Sequence, residues 1–237
     1  MAFDIIGSRE KAVAIIDKQE QLEKILKNYK HVKSVLLKLG PRTGKYRKYK
    51  LKLIWGDKNT EVIHKEYGYK LKLDPKKVYF SPREANERQR LAKLAKNNEK
   101  ILVMFSGIAP ISIAINKKKN CKITNIEINP DAVKYANENV KLNKLKNIRN
   151  ILGNVKEVKL RGKFDRIIMP LPETAYKYLD IALKYSKKGT IIHLYGFSDK
   201  NIEEKIKKFD NLKLIRKTKV LPYGPWIYKM RYDIKVN

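Results

Sequence analysis

Cysteine is almost missing from this chain. Cys121 stands alone among 237 residues, so no disulfide can form within the chain and no cysteine cluster can hold a metal. Histidine is nearly as scarce. His31, His64 and His193 are too scattered for a metal-ligand motif, and no metal is expected. Acidic residues are heavily outnumbered, 24 Asp and Glu against 55 Lys and Arg. Residues 101–115 carry no charge, but this stretch falls short of the ~20 residues that cross a bilayer as a helix. Gly107, Pro110 and two serines also interrupt it. The N-terminus meets an acid, Asp4, before any basic residue, which makes a poor secretory leader. A reducing cytoplasm, with no membrane association, is the expected setting.

What is abundant is positive charge. The formal net charge is +31, and so positive a surface repels itself. A polyanionic partner is the usual reason to tolerate it. Nucleic acid leads, with an anionic membrane surface behind it. A Lys-rich genome or a hot habitat would also raise lysine, but such bias usually raises glutamate too. Hydrophobic residues make up 43% of the chain, enough for a proper core. The length suits one large domain, or a medium one with a smaller companion, and a monomer is expected.

Two regimes divide the chain. Residues 1–80 read as a small, RNA-contacting α+β domain. "FDIIG" and "KAVAII" suggest a hairpin, and "KQEQLEKILKNY" places Leu22, Ile25 and Leu26 at helical spacing. "SVLLKLG", "YKLKLIWG", "TEVIHKEYG" and "YKLKLD" read as strands. From Ser81, a plausible N-cap with Pro82 at the first helical position, a helix is expected to run to Asn97-Asn98. Residues 81–237 then alternate strand and helix patterns, the mark of βαβ units and a mostly parallel sheet. Here "KILVMF" is a buried strand and "ISIAI" starts a covered helix. The end differs: "LKLIRKTKVL" and "WIYKMRYDIKV" flank "PYGP", an antiparallel hairpin with its turn there. An α/β fold of this kind, Rossmann-like with a terminal antiparallel hairpin, is the architecture of class I S-adenosylmethionine-dependent methyltransferases.

Open α/β sheets bind ligands at the carboxyl ends of their strands. "MFSGIAP" is one such end, where Gly107 lets backbone approach a ligand. Glu127 of "IEINP" stands about twenty residues on, where an acid can hold two ribose hydroxyls. The same spacing also arises by chance in many α/β proteins. In "IIMPLPETAYKYLD" two prolines flank Leu171 and stop the sheet, freeing the Met169 and Leu171 carbonyls. That turn can equally be only a rigid connection. Residues 40–52 hold six basic residues, two tyrosines and no acid, a pattern suited to phosphates and unstacked bases. A solvated edge strand is the alternative. Finally, Glu87 lies among Arg83, Arg88 and Arg90 on one helix, either a surface ion pair or part of a site.

Taken together, "KYRKYKLKLIWGDKNTEVIHKEYGYKLKLDPKKVYFSPREANERQR", "VMFSGIAP", "IEINPDAVKYANENVKLNKL", "DRIIMPLPETAYKYLDIAL" and "IIHLYGF" resemble the tRNA (guanine(37)-N1)-methyltransferase family of archaea and eukaryotes. The resemblance runs over nearly the whole chain. It implies S-adenosylmethionine as methyl donor and, as acceptor, the guanosine 3′ of the anticodon in the tRNA anticodon stem-loop. Residues 1–80 then correspond to the family's middle domain, and its extra first domain, which checks the tRNA elbow, is expected to be absent.

Carried over by motif, Glu87 is the expected general base for guanine N1, and Arg47 the cation facing guanine O6. Tyr79 and Arg88 would shape the cofactor side, where Phe105, Ser106, Gly107 and Ile108 line the ligand. Glu127 and Ile128 would meet its ribose, Asn154 and Val155 its adenine, and Pro170 its edge. Arg83, Leu171, Pro172, Arg42, Lys45 and Lys48 fall on the substrate side. The residue types suit the chemistry. Guanine N1 is a poor nucleophile until deprotonated, so a carboxylate must reach it, and charge gathering on O6 calls for a fixed cation. N1 lies on the pairing edge, so the nucleotide must be flipped out.

The chain departs from the family pattern in three places. Many members have Asp where Val103 stands, a Gly-x-Gly turn where this chain reads Gly107-Ile108-Ala109, and Asn-Leu-Pro where it reads Pro170-Leu171-Pro172. "MFSGIAP" with "MPLP" is similar to an archaeal subgroup linked to wyosine bases, some of which also methylate carbon 7 of 4-demethylwyosine to give isowyosine. Two other readings stand beside this one. One is the related aminocarboxypropyl transferase of wyosine synthesis; the other is a non-catalytic RNA-binding protein with a degenerate methyltransferase fold.

Overall fold

Short apolar runs broken by turns dominate the beginning of the chain, and they build a small sheet. The computed structural model describes residues 3–237. Strands β1 (Asp4–Gly7) and β2 (Ala12–Ile16) form the expected antiparallel hairpin. Helix α1 (Gln21–Asn28) crosses back to β3 (Val32–Lys38), which lies parallel to β2. A long basic loop then leads to β4 (Leu51–Gly56), antiparallel to β3 at the sheet edge.

β5 (Val62–Glu66) and β6 (Tyr69–Leu73) form a separate hairpin around Gly68. After a 3-10 turn (Pro82–Glu84) come α2 (Ala85–Leu94), β7 (Lys100–Met104), α3 (Pro110–Asn116), β8 (Lys122–Glu127), α4 (Pro130–Leu142), β9 (Ile148–Leu152) and β10 (Phe164–Met169). A second 3-10 turn (Ala175–Tyr178) precedes α5 (Leu179–Lys184), β11 (Ser186–Phe197), α6 (Ile202–Ile206), β12 (Leu212–Gly224) and β13 (Ile227–Val236).

These last seven strands make one sheet in the order β12-β13-β11-β10-β7-β8-β9. Six run in the same direction, and β13 alone runs antiparallel, between β11 and β12. The fold is α/β with a Rossmann-like sheet closed by an antiparallel hairpin, as the alternating pattern predicts. Strand β7 shows why its sequence is apolar throughout. Ile101 and Val103 enter one core layer with Leu91, Ile113 and Ala136, while Leu102 and Met104 enter the other with Leu179, Ala182 and Ile206. Side chains alternate across a strand, so a strand covered on both faces must be apolar at every position. The uncharged run of residues 101–115 is therefore one buried strand, a turn and one buried helix. No helix among the described residues is long and apolar enough to cross a membrane.

The first core layer continues without a break into Val13, Leu36, Val62 and Leu71 of the small unit. Two amides on α4 add to this attachment. Asn139 bonds both the N–H and the carbonyl of Lys72, and Asn143 does the same for Lys70. They sit one turn apart, so each takes the place of a neighbouring strand along the β6 edge.

Two boundaries differ from expectation. The helix after Ser81 begins as a 3-10 turn without a Ser81 side-chain cap, and it ends at Leu94. Asn98 adopts φ 66 and donates its N–H to Asn120, a reversal that feeds β7. In the terminal hairpin, "PYG" belongs to β12 and the chain turns at Pro225 and Trp226. β12 is an edge strand, where proline's missing N–H costs no ladder bond.

Candidate active site

Strand order reverses between β7 and β10, and that crevice is where an open α/β sheet binds ligands. A cavity of ≈ 550 Å³ opens there, between the large sheet and the small unit. Its size suits a ligand of cofactor scale.

One wall is built from the ends of β7 and β8. Glu127 Oε1 accepts the N–H groups of Ile128 and Asn129 at 2.8 and 2.9 Å, and Oε2 accepts the Gly107 N–H at 2.8 Å. Burial pushes its carboxyl above the usual range, although the three amides oppose that shift. The Gly107 turn is twisted. Phe105, Gly107 and Ala109 take φ values of 57, 56 and 64, a left-handed conformation that non-glycine residues adopt sparingly and often near ligands. A methyl group on Gly107 would meet nothing within 4 Å, so open space lies beside it. The Ser106 hydroxyl is buried there with no hydrogen-bond partner. Phe105 packs edge-on against Tyr178 at 5.0 Å, and Pro170, Leu171 and Pro172 continue the wall from β10.

The basic loop between β3 and β4 forms the opposite side. The Arg42 guanidinium lies 4.6 Å over the Tyr79 ring and donates to the Tyr223 hydroxyl at 3.3 Å. Arg47 pairs with Glu173 at 2.9 Å, while its Nε is buried without a partner. The loop of the small unit is thus tied to the turn after β10, across the cavity mouth. Lys45 and Arg83 also line the space, and Arg83 bonds Asp4 at 2.6 Å.

Several predicted residues lie elsewhere. Glu87 does not line the cavity. It faces the sheet, where its Oε1 accepts the Tyr195 hydroxyl and an Arg231 N–H, both at 2.6 Å, and its Oε2 meets only Arg90 at 3.3 Å. In this segment the carboxylate that lines the cavity is Glu84, three residues earlier, with the Lys229 ammonium at 2.9 Å and the Tyr79 hydroxyl at 3.2 Å. Burial opposes ionisation of Glu84, but Lys229 and Arg88 hold its carboxyl below the usual range. Arg88 is likewise absent from the wall, because its guanidinium is clamped by Glu66 through two 2.6 Å bonds.

Ser106 sits behind the turn and Ile108 is fully buried in the core. Asn154 caps its own turn through Lys156 and Glu157, and Val155 packs into the second core layer. Lys48 pairs with Thr43 across the basic loop. Val103, where an Asp was expected, is core.

Sequence reasoning missed Glu84, Glu173 and Lys229. Glu173 carries a signal, as the first acid after the double-proline turn. Glu84 and Glu87 look equivalent on a helical wheel, but the 3-10 turn shifts the phase between them. Lys229 reaches the wall from a strand more than 140 positions away from Glu84, which no local pattern reveals.

Behind the cavity runs a buried polar chain. Glu99 holds Arg166, whose guanidinium contacts His193 Nε2. His193 Nδ1 meets Asp233 at 2.6 Å, Asp233 accepts from Arg231 at 2.7 Å, and Arg231 reaches Glu87. Burial holds His193 below its ordinary pKa despite Asp233. Asp233 is itself opposed by burial but held at about 2 by His193 and Arg231.

Comparison with known proteins identifies the family of the chain. Trm5b from Pyrococcus abyssi, a tRNA (guanine(37)-N(1))-methyltransferase, is 39% identical over all of this chain and 75% of its own length. Taw22 from Nanoarchaeum equitans, a tRNA (guanine(37)-N(1))/4-demethylwyosine(37)-methyltransferase, is 35% identical over all of this chain and 99% of its own. The solved complex of aTrm5 with tRNALeu superposes with a TM-score of 0.87 at 36% identity, covering all of this chain and 72% of that one. Residues 62–221 match the family described as the TRM5/TYW2 methyltransferase domain, and the chain belongs to that family.

Proposed function

We propose that the protein transfers the methyl group of S-adenosylmethionine to N1 of guanosine 37 of tRNA, the reaction named for its relative from Pyrococcus abyssi. The observation that carries this reading is a single cavity with Glu127 and the Gly107 turn on one side and the cationic loop of Arg42 and Arg47 on the other.

The residues present fit the cofactor. Glu127 stands beside the place a vicinal diol would take, and Phe105 and Ile128 offer apolar walls. When bound, S-adenosylmethionine supplies a sulfonium methyl that needs no activation by the protein. The chain's own residues must activate the acceptor. Arg47 lines the cavity with a side chain 42% exposed, and its guanidinium would stabilise charge that grows on a purine oxygen as N1 loses its proton.

Glu87 is the proposed proton acceptor. Lys229 holds the Glu84 carboxyl low, which makes it a poor proton acceptor. Glu87 is buried, and its Oε2 meets only the half-exposed Arg90 side chain, which would have to swing aside for a base to reach it. The base must pass Glu84 to meet Glu87, and the assignment depends on that reach.

A second acceptor follows from Pro170. With proline where an amide was expected, the wall beside Leu171 is apolar and suits a larger tricyclic purine, the substrate in the name of the Nanoarchaeum relative. Mass spectrometry of nucleosides at position 37 tests both. Purified protein and cofactor are incubated with unmodified tRNA and, in parallel, with tRNA carrying 4-demethylwyosine. N1-methylguanosine is expected in the first and isowyosine in the second. An aminocarboxypropyl adduct in place of a methyl, or an unmodified base in both, would overturn the proposal.

A further inference from the structure

Trp226 is 91% exposed at the tip of the β12–β13 hairpin. Its φ of 59 is sparsely populated for an aromatic residue, so the fold holds the indole outward at a cost. An indole ordinarily contributes its large apolar area to a core. Protection of the sheet edge does not explain it, since edges are defended by charge rather than by exposed aromatics.

The surroundings say what it meets. The end of β12 that leads into this tip is cavity wall, through Leu221, Pro222 and Tyr223. Tyr223 is half exposed, packs on Phe197 at 4.3 Å and receives a hydrogen bond from Arg42 of the basic loop. Along β12 run Lys213, Arg216 and Lys219, none of them in an ion pair among the described residues. An outward aromatic tip on a cationic ribbon, beside a cavity that takes a flipped base, is the combination that binds unpaired nucleic acid: cations follow the phosphates and the ring stacks on a base. A protein partner would call for an apolar surface around the indole, and this ribbon offers cations.

We propose that Trp226, backed by Tyr223, stacks on an unpaired base of the RNA next to the nucleotide that enters the cavity. This rests on the RNA-substrate reading above.

The test uses the full chain in a W55F background, which leaves Trp226 as the single tryptophan of the two in the sequence. Titration with an anticodon stem-loop RNA should quench its emission saturably. W226A should bind that RNA about tenfold more weakly or worse, with W226F recovering most of the loss. The slope of affinity against salt should stay unchanged, because no phosphate contact is removed. Cofactor affinity should also stay unchanged, which reports that the variant is folded. If the unaltered protein methylates the RNA while Trp226 emission stays constant and W226A binds within twofold, this inference falls and the activity stands. If the unaltered protein neither binds nor methylates RNA, both fall. A blue shift on phosphatidylserine vesicles without quenching by RNA would overturn it in favour of a membrane contact.

Discussion

Glu127 serves two demands that pull against each other. Its carboxylate ties the ends of β7 and β8 through three amides, yet burial makes ionisation harder. Only the anion can accept from both ribose hydroxyls and the amides together. Cofactor affinity should therefore fall in acid, beginning at a higher pH than an ordinary glutamate would give, and calorimetric titration across pH reads this directly. E127Q should remove the pH dependence and weaken the cofactor about tenfold to a hundredfold, the worth of a charge-assisted hydrogen bond. Glu84 and Glu87 make the other residue-scale contrast. E87Q should lower the single-turnover methylation rate by about 10²–10⁴-fold with cofactor binding intact. E84Q should act mainly on Lys229 and Tyr79, with a smaller loss. The reverse order would move the proton to Glu84.

Between residue and fold lie two connected elements, the buried polar chain and the basic loop. The chain joins α2 to β10, β11 and β13 through His193, Asp233 and Arg231. Burial keeps the folded pKa of His193 below its ordinary 6.5, so the fold favours the neutral ring. That contribution is complete above about pH 6.5 and is lost as pH falls from there toward the lower folded value. The thermal midpoint should be flat above neutrality and then drop by up to about 3–6 °C per pH unit. H193Q should flatten that window. Asp233, held at about 2, adds a second loss below its ordinary 3.8. The basic loop is latched by Glu173, whose partner Arg47 is 42% exposed. An anion there competes with RNA for the same guanidinium. E173Q should tighten RNA binding by no more than about fivefold, since half-exposed pairs are weak. R47A should cut the chemical step by about 10²–10³-fold.

For the whole molecule, charge and topology act together. A net charge of +31 attracts polyanions from solution, and Arg42, Lys45 and Arg47 gather at one cavity mouth. Removing Arg42 and Lys45 together should reduce the slope of log affinity against log salt by about two, if each meets one phosphate. Lysines on the far side, such as Lys118 and Lys144, should change affinity without moving the methylated position. The continuous core explains why the small unit can aim its loop at the large sheet. Val62, Leu71 and Phe80 share that core with Ile101 and Ile108, and Asn139 and Asn143 hold β6 in register.

The sequence alone determined the sheet and the strand ends that carry Gly107 and Glu127. Strand β7 is apolar at every position because both its faces are covered, and Gly107 and Glu127 close two adjacent parallel strands, so a local pattern suffices to bring them together. Only the tertiary structure decided what surrounds the acceptor base. Glu84 rather than Glu87 reaches the wall because a 3-10 turn changes the helical phase. Arg47 meets Glu173, and Arg42 meets Tyr223, across more than a hundred residues. Such contacts depend on how separately folded elements are packed, and no periodicity within a segment encodes that.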